Sequence, residues 1–331
     1  MNKPPYVWII AILVVEVLIS GCTPETPEKE ALKYHRKACH SANPIVKIAL
    51  LERAIELDPE LIDAHFDLAE AYYSEAMYEE AITELRRVIE LGREDATTYY
   101  NLGLNYYDDD QYDKAIEAYE KSISLNPNDA DAYYNLGLVY ISKKEWDNAI
   151  TEFKKALQIN PKDVKAYHNL GLTYIKKGLL DEAISEYTKA LQIKKTMIDT
   201  SVGLGVAYGK KGEYVWAMSR LKKTLKADPD NPRIQYNLGM AYLGMEKYNK
   251  AIREFKKVER SGSDDINVYI SMAEAYTHKG RYDMAIKKLE EALEIIKSMQ
   301  EVIHPNLEMA RSAATFTTTR KEAVEDTGVS P

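Results

Sequence analysis

The side chains best suited to metal or redox chemistry lie near the N-terminus, at His35, Cys39 and His40. His35 and Cys39 are four residues apart, so on a helix they would share a face and could bind one metal ion. Residue 36 is Arg36 and not a second cysteine, which excludes a haem-attachment motif. We interpret Cys39 as a partly buried thiol in a divergent packing unit, with a metal or redox role for the three residues as the alternative.

No other pattern in the sequence supports catalysis. The glycine-rich run from Gly203 to Lys210 has the wrong spacing for a phosphate-binding loop, and it falls inside a predicted helix with no strand before it. The six histidines form no HExxH motif and no Ser/His/Asp arrangement. The chain has 44 basic and 52 acidic residues, a balance that argues against binding nucleic-acid phosphates. We therefore predict a protein that is not an enzyme and that uses no cofactor, resident metal or small-molecule substrate.

The first 22 residues have the pattern of an export signal. Lys3 precedes an apolar run, and Ile19, Ser20, Gly21 and Cys22 follow it. A short apolar stretch ending in small residues indicates a signal peptide more often than a membrane-spanning helix. The last four residues resemble the lipobox of bacterial lipoproteins. This resemblance implies cleavage before Cys22, a diacylglycerol on its sulfur and a fatty acid, such as palmitate, on its new amino group.

The alternative interpretation is an uncleaved anchor helix in which Cys22 is incidental. Both interpretations place the rest of the chain outside the cytoplasm on a membrane surface. Thr23 follows the cysteine in place of the Asp that marks inner-membrane retention in enterobacterial lipoproteins. By that analogy we predict an exported, lipid-anchored protein at the outer membrane, facing the periplasm.

From residue 28 the sequence repeats with a period of 34 residues and no insertion. In the repeat that starts at Ala130, apolar residues recur at spacings of three and four in two stretches, which places each set on one face of a helix. Residues 143–145 fill the predicted turn, and Pro161 is expected to end the second helix. Each repeat is therefore predicted to be a hairpin of two helices. The repeats start at residues 28, 62, 96, 130, 164, 198, 232 and 266.

Three positions of the repeat are nearly invariant within this one chain, and the 25 tyrosines against 4 phenylalanines reflect this. A Tyr is expected to fill the space between hairpins, and Ala and Gly are expected where two helix backbones approach closely. The Tyr position holds Tyr72, Tyr106, Tyr140, Tyr174, Tyr208, Tyr242 and Tyr276. The small first-helix position holds Ala69, Gly103, Gly137, Gly171, Gly205, Gly239 and Ala273. The small second-helix position holds Ala81, Ala115, Ala149, Ala183, Ala217, Ala251 and Ala285.

This pattern closely resembles the tetratricopeptide repeat over residues 28–299. The resemblance implies an all-α solenoid of about eight helical hairpins in a right-handed superhelix, which is stabilised by stacking neighbours. It completes the predicted organisation: signal peptide at 1–21, lipidated tether at 22–27, solenoid at 28–299, then a helix end and mostly disordered tail at 300–331. Gly178, Gly212 and Gly280 are predicted to occupy turns between helices, where a positive φ is least costly.

Solenoids of this family bind ligands on a concave face lined by first helices. Two rows of residues recur there, with Leu138 beside them. The aromatic row is Phe66, Tyr100, Tyr134, His168 and Tyr236, and the Asn row is Asn101, Asn135, Asn169 and Asn237. Asn offers donors and an acceptor that match a peptide main chain, and flat aromatics add contact area at low entropic cost. The alternative is that Asn is merely common at this position.

The resemblance also limits the choice of partner. Chaperone-binding members of the family clamp a C-terminal carboxylate with Lys and Asn. In this chain, the positions where they carry basic residues hold Tyr100, Tyr134 and Leu138, which disfavours a chaperone partner. Charge is uneven along the chain, with a net −12 over residues 62–129 and +4 over 198–299. We predict a scaffold that binds other proteins or extended peptides, with family precedents in pilus or secretin assembly and in protease adaptors. The alternative is a subunit of an envelope enzyme complex that uses His35, Cys39 and His40.

Overall fold

A computed structural model describes residues 26–300 of the chain, and this part is entirely helical, without a strand. The predicted signal peptide, Cys22 and most of the predicted C-terminal tail lie outside the described residues. Within residues 26–300, no helix is both long enough and apolar enough to span a bilayer. The all-α prediction is confirmed. First helices begin within one residue of every predicted repeat start, so the 34-residue period is also the period of the structure.

The chain divides into two compact bodies, an N-terminal body that ends at Gly178 and a C-terminal body that begins at Leu179. The described helices of the N-terminal body are α1 Pro27–Cys39, α2 Pro44–Leu57, α3 Ile62–Ser74, α4 Tyr78–Glu90, α5 Ala96–Asp108, α6 Tyr112–Leu125, α7 Ala130–Ser142, α8 Trp146–Ile159 and α9 Val164–Lys177. Those of the C-terminal body are α10 Leu180–Ile193, α11 Ile198–Lys210, α12 Tyr214–Leu225, α13 Pro232–Gly244, α14 Tyr248–Arg260, α15 Ile266–His278 and α16 at residues 282–300.

Side-chain caps explain where most first helices begin. The carboxylates of Asp95, Asp129 and Asp163 accept hydrogen bonds from backbone N–H groups in the first turns of α5, α7 and α9. Asn231 and Asp265 do the same for α13 and α15. Each cap satisfies donors that have no partner inside the helix. These caps recur at the residue before a repeat start, so the 34-residue period places them as well.

The inner turn of every hairpin except the first contains one residue in the left-handed conformation. Gly178, Gly212 and Gly280 have φ of 78°, 83° and 70°, which confirms the prediction for these three glycines. The same turn position also has a positive φ in four other hairpins, where Ala76, Asp110, Lys144 and Glu246 occupy it. The residue types at these four positions did not predict a positive φ, because residues with a Cβ atom rarely adopt the left-handed conformation.

Four glycines of the first helices face large side chains and not backbone, which corrects the prediction of a backbone–backbone approach at these positions. They are Gly103, Gly137, Gly205 and Gly239. A Cβ atom on Gly137 would lie 2.7 Å from the Phe153 ring, and one on Gly103 would lie 2.8 Å from the Tyr119 ring. In the C-terminal body, Gly239 faces Phe255 in the same way. Because Phe153, Phe255 and Tyr119 are fully buried, each glycine makes room for a ring at the centre of its hairpin.

The glycine-rich run from Gly203 to Lys210 has a packing role too. It lies within helix α11, as expected, and not in a loop. Gly203 faces the ring of Tyr187, and Gly205 faces Leu221. The need for space beside two buried side chains therefore accounts for both glycines.

Candidate functional site

In the N-terminal body, the aromatic row and the Asn row lie on one face formed by first helices. Helices α5 and α7 contact each other directly. The row members Tyr100, Tyr134 and Asn135 are half-buried, as are Leu138 and Asn169. They are packed against the hairpins and still reach solvent. We call this surface the first-helix face.

The two rows are joined by hydrogen bonds between hairpins. The amide nitrogen of Asn135 donates to the hydroxyl of Tyr100 at 2.8 Å, and that of Asn169 donates to the hydroxyl of Tyr134 at 2.8 Å. Each bond spans 35 residues, which is one repeat plus one position. The Tyr100 ring also lies 5.9 Å from that of Tyr119, a common spacing for buried aromatic pairs. Each Tyr–Asn pair is therefore held by its own hairpin and by the next one.

The pairs present defined hydrogen-bonding groups. The bond to tyrosine uses one of the two N–H donors of each asparagine, and the amide oxygen and second donor are the groups that can meet a peptide. Partial burial raises the pKa of Tyr100 and of Tyr134, with smaller contributions from Asp131 and Asp163 respectively. Both phenols therefore stay neutral and protonated at physiological pH, which keeps the pairs intact.

Tyr–Asn pairs form where Tyr stands at one position and Asn stands 35 residues later. Asn101 has Phe66 at the partner position, and a phenyl ring offers no hydroxyl. Phe66 is itself buried, and the guanidinium of Arg93 lies 4.1 Å from its ring centre. Asn101 instead lines a cavity of about 250 Å³ together with Glu70, Tyr73 and Asn105. His168 is half-buried on α9, in the same row as Tyr134.

The C-terminal body carries the same two rows in a different arrangement. To form a Tyr–Asn pair, Asn237 would need a tyrosine hydroxyl from residue 202, but this residue is Val202. The amide nitrogen of Asn237 instead donates to the carbonyl of Arg233 in its own helix at 2.8 Å. The hydroxyl of Tyr236 lies 3.5 Å from that of Ser271, which occupies the Asn position. Both Tyr236 and Asn237 line a cavity of about 700 Å³ that is also bordered by Gly205 and Gly209.

Two buried polar atoms of the N-terminal body have no hydrogen-bond partner. They are the amide oxygen of Asn105, which is 2% exposed, and the hydroxyl of Tyr119. Burial raises the pKa of Tyr119, so its phenol is neutral. Asn105 lines the 250 Å³ cavity beside Asn101, so the first-helix face has an unsatisfied acceptor at its base. No feature of the sequence had singled out this residue.

Cys39 lies in a cluster of side chains that differs from the predicted cluster of His35, Cys39 and His40. The sulfur of Cys39 lies 3.4 Å from a carboxylate oxygen of Asp67 and 3.8 Å from Nε2 of His35. His40 is not part of the cluster, because its Nδ1 lies 2.7 Å from the carbonyl oxygen of Arg36 in its own helix. Asp67 was missed because it lies in the next hairpin. It is 32 residues from His35, close to the 35-residue separation at which first helices face each other.

The thiol is also exposed, whereas partial burial was predicted. Desolvation by its neighbours and the hydrogen bond to Asp67 raise the pKa of the Cys39 thiol. A thiol with a raised pKa is a poor nucleophile, since the thiolate is the reactive species. The cluster is thus poorly suited to thiol redox chemistry.

Sequence profiles of known families match most of the described chain. Profiles described as TPR repeat match residues 103–142 and 137–178, and profiles described as tetratricopeptide repeat match 48–102, 164–197, 210–275 and 268–303. The matches begin within the first hairpin and include six of the eight predicted repeat starts. No curated protein sequence matches the chain.

Solved structures give the same result. The protein MamA is 32% identical over 51% of this chain and 92% of its own length, with a TM-score of 0.49. PilW, a type IV pilus biogenesis factor, is 20% identical over 63% of this chain and 94% of its own, with a TM-score of 0.53. Pseudomonas aeruginosa PilF is 18% identical over 66% of this chain and 97% of its own length, with a TM-score of 0.50. At these identities, PilW and PilF establish a shared fold only.

Proposed function

Because the chain belongs to the tetratricopeptide repeat family, we propose that it is a non-enzymatic scaffold that holds extended polypeptides on its first-helix face. The observation that carries this proposal is the pair of inter-hairpin bonds, Asn135 to Tyr100 and Asn169 to Tyr134. They orient successive asparagine amides at the same position of successive hairpins. A regular row of amides suits an extended main chain, which offers alternating donors and acceptors irrespective of its side chains.

The aromatic rings beside the asparagines would add contact area. Tyr134 packs against the buried ring of Phe153 at 5.7 Å, so it is held in place before a ligand arrives. A pre-positioned ring loses little side-chain entropy on binding, which favours affinity. The acceptor of Asn105 and the carboxylate of Glu70 line the neighbouring cavity, where a donor such as a basic side chain would be favoured.

The test is a triple replacement, Asn101→Ala with Asn135→Ala and Asn169→Ala. Each lost hydrogen bond to a ligand is worth about 0.5–1.5 kcal/mol, so we expect partner affinity to fall by roughly ten- to a thousandfold. Pull-down from envelope extract, followed by titration of the captured partner, measures the loss. Tyr100→Ala with Tyr134→Ala should weaken binding comparably through lost contact area.

The matched control is Asn128→Ala with Gln158→Ala and Lys162→Ala, three exposed polar residues of the same body. Lys155 is unsuitable as a control because it forms an ion pair with Glu152, which is 8% exposed. Helical circular dichroism should be preserved in every variant. Loss of partners in the control set, with retention in the Asn set, would place the binding surface elsewhere.

We also propose that the protein acts in the cell envelope as a lipoprotein anchored through Cys22, at the outer membrane and facing the periplasm. The residues Ile19, Ser20, Gly21 and Cys22 support this proposal through their lipobox pattern. Two or three acyl chains would hold the protein stably at a bilayer, whereas one would not. Its role there would be to recruit or assemble envelope proteins.

Cys22→Ser tests the anchor. We expect this variant to be released from membranes or to retain its signal peptide, because the serine hydroxyl cannot form the thioether. Cells are labelled with a fatty-acid probe, and incorporation into the purified protein is compared with the wild type. Cys39→Ser is the matched control and should be labelled normally. Equal labelling of the wild type and Cys22→Ser would contradict lipidation at this residue.

A further inference from the structure

Three different ligand atoms converge where the first hairpin meets the second. His35 and Cys39 lie one turn apart on α1, and Asp67 faces them from α3. Their donor atoms, Nε2, Sγ and a carboxylate oxygen, all lie within 4.8 Å of one another. A single oxygen of Asp67 contacts both the thiol and the imidazole.

The three distances are close to those of a tetrahedral metal site. Zinc binds sulfur at about 2.3 Å and nitrogen or oxygen at about 2.0–2.2 Å, so donor atoms around it lie about 3.3–3.6 Å apart. In this structure the separations are 2.8 Å for His35 to Asp67, 3.4 Å for Cys39 to Asp67 and 3.8 Å for Cys39 to His35. None of them needs to change by more than about 0.5 Å to suit that geometry, which is within reach of side-chain rotation.

We propose that His35, Cys39 and Asp67 form a zinc site with an open fourth position. One sulfur, one imidazole nitrogen and one carboxylate oxygen are the donors that zinc accepts in proteins, whereas calcium and magnesium need oxygen ligands. On binding, the ion replaces the thiol proton, which leaves to solvent. The imidazole gives up to solvent the Nε2 proton that it donates to Asp67 and takes one up on Nδ1, so that Nε2 is free to bind the ion and no further proton is released. Solvent reaches the site, because the His35 and Asp67 side chains are 16% and 26% exposed. Water can therefore fill the fourth position.

A metal here would act as a clamp between α1 and α3. Among the described residues, the first hairpin packs against one neighbouring hairpin, and stability in repeat folds depends on neighbour contacts. Because the ligands belong to different hairpins, the ion binds the folded arrangement more tightly than the unfolded chain, and it stabilises the first hairpin by mass action. This role is independent of the first-helix face.

Metal titration of the full chain tests the proposal. The protein is stripped with a chelator and titrated with Zn²⁺ against a chromophoric competitor, and with Co²⁺ as a spectroscopic substitute. We expect one zinc ion per chain, a thiolate-to-cobalt charge-transfer band, and a higher unfolding temperature with zinc. Cys39→Ser should abolish the band. Cys39→Ser, His35→Gln and Asp67→Asn should each weaken zinc binding by at least about tenfold, the loss caused by removing even outer partners of a metal site.

Two variants serve as controls. Cys22→Ser leaves Cys39 as the only thiol of the chain, and His40→Ala removes the neighbouring histidine that lies outside the cluster. Both should bind zinc as the wild type does, and all variants should have wild-type circular dichroism without metal. Absence of stoichiometric zinc and of the cobalt band in the wild type would overturn the proposal. So would zinc binding that persists in Cys39→Ser and Asp67→Asn.

Discussion

Asn105 occupies a position where six of the other seven hairpins carry small or apolar side chains. The equivalent residues are Ala71, Val139, Thr173, Ala207, Ala241 and Ala275, all buried. The Asn105 amide nitrogen donates to the carbonyl of Asn101 at 2.8 Å, but its oxygen has no partner. A buried acceptor without a hydrogen bond costs about 1–3 kcal/mol, so this residue lowers the stability of its hairpin.

We predict that Asn105→Ala raises the free energy of unfolding by about 1 kcal/mol, because it removes the orphaned acceptor at the expense of one hydrogen bond. Urea unfolding followed by circular dichroism measures the change. Asn135→Ala is the matched comparison and should instead destabilise by about 0.5–1.5 kcal/mol, since it breaks the bond to Tyr100. A loss of stability in Asn105→Ala would contradict a net cost of the unsatisfied amide oxygen.

The rows of Tyr and Asn were predictable from the sequence, but their pairing was not. A period of 34 places residues at equivalent positions of each hairpin. It does not state which position of one helix meets which position of the next. That depends on the stagger between neighbouring first helices, and the bonds of Asn135 and Asn169 set it at 35 residues. For the same reason, the sequence did not predict that Asp67 lies beside His35 and Cys39, because that contact also depends on the stagger between neighbouring first helices.

At the scale of the hairpin, helix boundaries and turn glycines followed from the sequence, whereas the reason for the small first-helix residues did not. Gly137 and Phe153 are complementary, because the ring occupies the space that a Cβ atom would need. In the second hairpin, Ala69 and Leu85 stand at the corresponding positions and line one cavity together. A methyl group in the first helix is therefore compatible with Leu in the second.

We predict that Gly137→Ala lowers the free energy of unfolding by about 1–3 kcal/mol, as overpacking a fitted core does. Adding Phe153→Leu should recover part of that loss, because it recreates the Ala and Leu combination of the second hairpin. The coupling is measured with a double-mutant cycle in urea. Strictly additive effects of the two substitutions would contradict the complementarity between them.

At the scale of the whole chain, the sequence predicted the repeat number and the hairpin starts, but not the division into two bodies after Gly178. The repeat pattern continues unchanged through that point, so nothing in the period distinguishes it. Charge does vary along the chain, with a net −12 over residues 62–129 in the N-terminal body. Such a field attracts a basic partner and speeds its approach more than it strengthens the final complex.

We predict that the association rate of the captured partner falls as ionic strength rises, while its dissociation rate changes little, because salt screens the long-range field. Surface plasmon resonance at several salt concentrations separates the two rates. Glu75→Gln with Glu117→Gln, both exposed, should reduce the association rate at low salt and have a smaller effect at high salt. An association rate independent of salt would exclude electrostatic steering.

Because the bonds between hairpins repeat with the period of the chain, the length of this protein could change by whole repeats of 34 residues. Lys143 pairs with Asp113, and Lys177 pairs with Asp147, one period later. If residues 130–163 were excised, Lys177 would meet Asp113 and Asn169 would meet Tyr100, so the contacts across the new junction would be of the same kinds as those lost. Excision of a length that is not a multiple of 34 residues would bring unlike residues together. A gene encoding this chain can thus be lengthened or shortened by duplication or loss of 34 codons, and the reach of the binding surface would change while its local chemistry stays the same.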